Sequence, residues 1–94
     1  MFKFSLSVRA YSHARRYGLP YYEDWETCDD DVLRALCVHA GECVLYAGRS
    51  RKTAAELMRA GGLGVYQIHG YFAGDLPLDT VRRWCDEFDE KLHV

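Results

Sequence analysis

The sequence has little proline and no long apolar run. Only two prolines occur among 94 residues, and no low-complexity segment or internal repeat is present. Apolar residues make up 49% of the chain and aromatic residues 14%, which excludes the disordered class and predicts a single folded domain over residues 1–94. No stretch is long enough to span a membrane, and the opening residues MFKFSLSVRA lack the apolar core of a signal peptide. We therefore expect a cytoplasmic protein with no membrane partner.

Paired cysteine motifs are missing as well. The four cysteines form no C-x-x-C pair, so free thiols are expected; they are Cys28, Cys37, Cys43 and Cys85. Cys37, His39 and Cys43 are close in sequence, but residues 37 and 39 of a helix point to different sides. Structural zinc sites also use paired cysteine knuckles, which this chain lacks. We expect no metal and no cofactor.

None of the common catalytic motifs occurs. The chain has no G-x-S-x-G, no H-E-x-x-H and no zinc-deaminase signature. The stretch GRSRKT at 48–53 lacks the second glycine and the G-K-S/T ending of a phosphate loop. Cys37 and Cys85 fall on apolar helix stripes, where burial makes a thiol unreactive. We predict a protein that is not an enzyme and has no catalytic residues, and keep a small uncharacterised enzyme as the third hypothesis.

Hydrophobic periodicity predicts three strands and three helices. Apolar and polar residues alternate over 2–11 and over 64–72, and a short apolar run at 42–48 is typical of a central strand. Helices are predicted over 29–40 with Gly41 as the stop, from Thr53 to Gly61, and over 79–92. The alternative for 35–47 is a hairpin that pairs ALCVHA with CVLYA. The order β-α-β-α-β-α predicts a two-layer α+β domain, with a mixed or antiparallel sheet covered on one face by helices.

Charge is strongly segregated, although the net charge is only −2. Residues 1–20 carry +4, residues 21–31 carry −6, residues 32–60 carry +3 and residues 61–94 carry −3. Such blocks bear on binding partners rather than on the fold. The densest block, YYEDWETCDDD at 21–31, holds three aromatic rings and six carboxylates in eleven residues.

This acidic-aromatic segment is the predicted partner-binding surface. Helix capping and the helix dipole explain Asp29, Asp30 and Asp31, and part of the aromatic surface is explained if the rings anchor the loop to the core. Tyr and Trp dominate interface hot spots, and carboxylates around them steer association with a basic surface. The predicted contact residues are Tyr21, Tyr22, Glu23, Asp24, Trp25 and Glu26, extended by Asp86, Glu87 and Glu90 of the last helix if the two acidic segments are adjacent.

Together these features predict a protein-binding module that acts as a nucleic-acid mimic, its negative charge occupying the basic site of a nucleic-acid-handling complex. In size, lack of catalytic signature and segregated charge, the chain is similar in kind to the small inhibitors that phages and other mobile elements make against bacterial defence complexes, such as anti-CRISPR proteins, although no residue is matched. That similarity implies an inhibitor of a bacterial assembly.

The alternative is a nucleic-acid or phosphate-binding domain, which a sequence pI near 6.0 disfavours. Its binding residues would be Arg15, Arg16, Arg49, Arg51 and Lys52. A homodimer formed through spare aromatic surface is a further possible partnership.

Overall fold

The computed structural model describes residues 4–92, which form a helical bundle. The helices are α1 (Val8–Arg16), a 3₁₀-helix (Tyr22–Thr27), α2 (Asp30–Tyr46), α3 (Arg51–Ala60), α4 (Val65–Tyr71) and α5 (Leu78–Leu92). Residues 4–92 contain no strand, so the predicted α+β fold and its sheet are wrong. Each of the three predicted strands has its own physical reason for failing.

Helix α1 replaces the first predicted strand from Ser7 onward. The Ser7 hydroxyl accepts a hydrogen bond from the Ala10 backbone N–H at 3.1 Å, which caps the helix. The same residue donates its backbone N–H and its hydroxyl to the two carboxylate oxygens of Glu56, at 2.6 and 2.9 Å. This tertiary contact stabilises the start of the helix and overrides the alternating pattern. Residues 2 and 3 of the predicted strand lie outside the described range.

Helix α2 continues through Gly41, where the sequence predicted a helix end and then a strand. Gly41 is buried against α3, and a Cβ atom there would lie 2.9 Å from the Ala54 carbonyl oxygen and 2.9 Å from Met58 Cγ. The glycine therefore permits close helix packing and does not end the helix. The predicted strand at 42–48 is the last part of α2, and the hairpin alternative is wrong for the same reason.

Helix α4 occupies the third predicted strand. Val65, Ile68 and Phe72 have the i, i+3, i+7 spacing of one helix face. Ile68 and Phe72 are buried. The Gly64 backbone N–H donates to the Gln67 side-chain oxygen at 2.8 Å, which satisfies the first turn. Packing against α3 and α5 fixes this short helix in place.

The remaining helices lie close to their predicted positions. Asp29 caps α2 by accepting from the Asp31 N–H at 3.0 Å. Helix α3 ends at Gly61 as predicted, but its cap is Ser50 rather than Thr53, and it begins at Arg51. The last helix, α5, agrees with the predicted 79–92 to within one residue.

Helices α2 and α3 form an antiparallel pair at the centre of the bundle. Gly41 of α2 lies against Ala54 and Met58, whereas a Cβ on Gly61, at the end of α3, would meet Val38 and the Arg34 carbonyl near the start of α2. Helix α1 packs on both of these helices, and α5 packs on α3 and α4. No helix within residues 4–92 combines the length and apolar content that crossing a membrane requires.

Candidate protein-binding surface

The 3₁₀-helix of the acidic-aromatic segment is built around Trp25. Its indole N–H donates to the Pro20 carbonyl at 3.0 Å, its ring lies 4.7 Å from that of Phe4, and the side chain is only 6% exposed. The Thr27 hydroxyl donates to the Asp24 carbonyl at 3.2 Å and closes the last turn. Trp25, predicted as a contact residue, is therefore an anchor beneath the surface.

Two tyrosines of the segment are held by α1. Tyr22 stacks on Tyr11 with ring centroids 4.1 Å apart, and its backbone N–H donates to the Tyr11 hydroxyl at 3.2 Å. The Arg15 guanidinium lies 3.6 Å above the ring of Tyr21, and it also donates to the Leu19 carbonyl. Burial, followed by the nearby Tyr11, raises the pKa of the Tyr22 hydroxyl. Tyr21 and Tyr22 remain 54% and 42% exposed, so each presents one face to solvent.

Sequence analysis missed the supporting role of Tyr11 and Arg15. They are four residues apart and share one face of α1. The predicted strand over residues 2–11 concealed this spacing, because it separated Tyr11 from Arg15, which was left in an irregular segment.

Three carboxylates of the segment face solvent without compensation. Glu23, Asp24 and Glu26 are exposed, and none of them forms an ion pair within the described part of the chain. Arg15, the base that packs on this segment, covers the Tyr21 ring. Five of the six residues predicted at 21–26 are thus exposed on one short segment, and Trp25 is buried beneath them.

The acidic residues of α5 have a different setting. Glu87 forms an ion pair with Lys52 at 3.1 Å, and Asp89 accepts two hydrogen bonds from Arg59 at 2.9 Å each. The hydrogen bond to Asp89 raises the pKa of Arg59. Asp86 and Glu90 are exposed. Helix α5 packs on α3 and α4, whereas the 3₁₀-helix packs on Phe4 and on Tyr11 of α1.

The basic residues of the alternative hypothesis are dispersed. Arg15 covers Tyr21, and Lys52 pairs with Glu87. Arg15 lies eight residues beyond Ser7, about 12 Å along α1 from the contact between Ser7 and α3. Exposed residues Arg49 and Arg51 line an open cleft of about 460 Å³ together with Leu45, Gly48, Ser50 and Asp75. Of these basic residues, Arg15 and Lys52 already have a partner within the described residues, and Arg49 and Arg51 lie beside the cleft.

The cysteines offer no reactive centre in the core. Burial raises the pKa of Cys37 to about 12, and burial also raises the pKa of Cys85, in line with the predicted unreactive thiols. Cys43 lies at the surface of α2, with its sulfur 3.6 Å from His39 Nε2. Within residues 4–92 no three metal-binding side chains come together.

No protein-family model, curated protein or solved structure matches this chain. The function proposed below therefore rests on the exposed residues of segment 21–26 and their charges.

Proposed function

We propose that the protein is a non-enzymatic binding module whose 3₁₀-helix surface, defined by Tyr21, Tyr22, Glu23, Asp24 and Glu26, binds a basic surface of another protein. The observation that carries the proposal is that Glu23, Asp24 and Glu26 are exposed and form no ion pair with any residue of 4–92, on a segment anchored by Trp25. Carboxylates that a fold leaves uncompensated contribute little to its stability and are free to pair with a partner.

The anchoring beneath this surface favours binding. Trp25, the Tyr11–Tyr22 stack and the Arg15–Tyr21 contact fix the segment before any partner arrives, so little conformational entropy is lost on association. The exposed faces of Tyr21 and Tyr22 supply apolar contact area at low entropic cost. The carboxylates steer association toward positive charge and select against acidic partners.

In its most specific form, the proposal is an inhibitor that places this surface in the basic nucleic-acid site of a bacterial complex. The high density of unpaired negative charge supports a mimic of nucleic acid, and the similarity in kind to anti-CRISPR proteins supports the setting. Asp86 and Glu90 form a secondary contact in this proposal, whereas Glu87 is less available because Lys52 pairs with it. A cytoplasmic location is part of the same proposal.

A charge-reversal pull-down tests the 3₁₀-helix surface. The protein is incubated with nuclease-treated bacterial lysate as wild type and as the triple variant Glu23→Lys, Glu26→Lys and Asp24→Lys. We expect the wild type to retain a defined complex and the variant to lose it. The matched control reverses two exposed acids outside every proposed contact, Asp75 and Asp79, and is compared with the double variant Glu23→Lys, Asp24→Lys, which makes the same change in net charge.

The control separates a local effect from a global one. If the control variant loses the complex as completely as the 3₁₀-helix variant does, net charge drives the interaction and the proposed surface is wrong. If neither variant changes binding, the segment is a capped loop with no binding role. Retention of the control complex with loss in the 3₁₀-helix variant is the result that the proposal requires.

The second candidate is phosphate or nucleic-acid binding at Arg49 and Arg51. Both are exposed beside the cleft, and neither forms an ion pair within residues 4–92. Lysate that has not been treated with nuclease distinguishes the two. Recovery of nucleic acid that Arg49→Glu and Arg51→Glu abolish would favour this candidate over the first.

A further inference from the structure

A stripe of five residues along α2 carries no carboxylate, lysine or arginine. Val32 is 49% exposed and Tyr46 is 77% exposed, His39 is exposed, and Leu36 and Cys43 are half-buried. A helix at the surface of a small protein usually carries its charged residues on the outer face. The neighbouring face of α2 supplies the core, and Leu36 packs against it at the border; the buried residues are Leu33, Cys37, Ala40, Gly41 and Val44.

The five outward residues follow the spacing of a helix–helix seam. Val32, Leu36, His39, Cys43 and Tyr46 are separated by four, three, four and three positions. This period of 3.5 is the one with which two helices pack along each other in a coiled coil. Over fourteen residues it extends about 21 Å. We call this set the α2 seam; its geometry suits another helix lying alongside.

Charge at the two ends of α2 identifies the helix that fits. Exposed acids Asp29 and Asp31 lie at its start, and exposed bases Arg49 and Arg51 follow its end. A second α2 running antiparallel would bring acids against bases at both ends, whereas a parallel one would bring like charges together. The antiparallel arrangement also opposes the two helix dipoles. The charge pattern is thus complementary to itself.

We propose that the α2 seam is the interface of a homodimer in which two α2 helices lie antiparallel, with the two copies of His39 on the two-fold axis. Val32 then faces Tyr46 of the second copy, and Leu36 faces Cys43, so every contact occurs twice. One helix face is smaller than the ~800 Å² per partner of a typical stable interface, which makes the dimer reversible. This interface goes beyond the proposed function and uses none of the residues of the 3₁₀-helix surface.

Sedimentation equilibrium under reducing conditions tests the dimer. The wild type should shift with concentration from the monomer mass of 10.8 kDa toward twice that value. Tyr46→Glu should weaken association at least about tenfold, because it places a carboxylate on the seam. Tyr66→Glu is the matched control, since Tyr66 is 71% exposed on α4, and it should associate like the wild type. Unchanged circular dichroism of both variants establishes that each is folded.

Disulfide trapping tests the orientation. Val32→Cys and Tyr46→Cys are made separately in a Cys28→Ser, Cys43→Ala background, mixed and mildly oxidised, and the cross-linked peptides are identified by mass spectrometry. An antiparallel dimer yields the mixed 32–46 disulfide, whereas a parallel one yields 32–32 and 46–46.

The proposal is overturned by a wild type that stays monomeric at all concentrations, by a Tyr46→Glu variant that associates normally, or by symmetric disulfides alone. The lysine variant of the 3₁₀-helix surface should remain dimeric. Failure of one proposal therefore leaves the other standing.

Discussion

Replacing Gly61 with alanine tests the close contact between α2 and α3. A Cβ on Gly61 would lie 2.4 Å from Val38 Cγ2 and 2.7 Å from the Arg34 carbonyl oxygen, far inside the 3.5–4.0 Å optimum for nonbonded atoms. Val38 is β-branched and the carbonyl is helix backbone, so neither can rotate away, and the two helices must separate. Such overpacking costs about 1–3 kcal/mol.

A smaller effect on the entropy of the unfolded chain partly offsets this loss of stability. Gly61 has φ −76°, which alanine adopts without strain, so the unfolded chain loses entropy worth about 0.4–1 kcal/mol in favour of the variant. We expect Gly61→Ala to lower the free energy of unfolding by about 1–2 kcal/mol, which for a domain of this size lowers Tm by about 5–15 °C. Thermal and urea unfolding followed by circular dichroism give both quantities.

Gly70→Ala is the matched control within the same chain. Gly70 lies inside α4, is exposed, and a Cβ there would meet nothing within 4 Å. The same substitution should therefore stabilise the protein by about 0.5–1 kcal/mol through helix propensity alone. The reasoning is refuted if Gly61→Ala is as stable as Gly70→Ala, because α2 and α3 would then not approach as closely as described.

Two further predictions concern the anchor and a buried thiol. Trp25→Ala should lower the free energy of unfolding by about 3–5 kcal/mol, measured by urea titration, because the buried ring contacts Phe4 and Tyr22; a loss below about 1 kcal/mol would contradict its role as an anchor. Burial raises the pKa of Cys37 from 9.0 to about 12, so between these pH values the unfolded chain releases a proton that the folded chain keeps. The free energy of unfolding should therefore fall as the pH rises from about 9 toward 12. Cys37→Val should remove that part of the slope, and an unchanged slope would refute the assignment.

The helices could be predicted where capping and a one-sided apolar stripe agreed. The start of α2 near residue 29, the end of α3 at Gly61 and the stripe of α5 could be predicted because local sequence determines them, although the capping box of Thr27 with Asp30 is wrong, since Asp29 caps α2. The strands were predicted where local patterns are ambiguous between periods of 2 and 3.6, as over 64–72. The contact that decides α1 joins Ser7 to Glu56, 49 residues away, and no local pattern contains it.

The residues of the candidate surface could be predicted from composition, but which of them are buried could not. The acids and rings of residues 21–26 stand out in the sequence, and their exposure follows from charge. Trp25 points inward, whereas Tyr21 and Tyr22 stay at the surface. This difference depends on tertiary contacts with Phe4, Tyr11 and Arg15. The pairing of Glu87 with Lys52 likewise depends on helix packing rather than on sequence spacing.

The error over α2 and the α2 seam have the same origin. Beyond Ala40 the apolar residues of α2 point to several sides of the helix, so the one-sided stripe that predicts a helix over 29–40 does not continue. A mostly apolar run of this kind is what a buried strand also presents, which is why Gly41 was mistaken for a boundary. The structure assigns one side to α3. The second side, spaced at 3.5 residues and bounded by opposite charges, is the one that the proposed homodimer covers with another copy of α2.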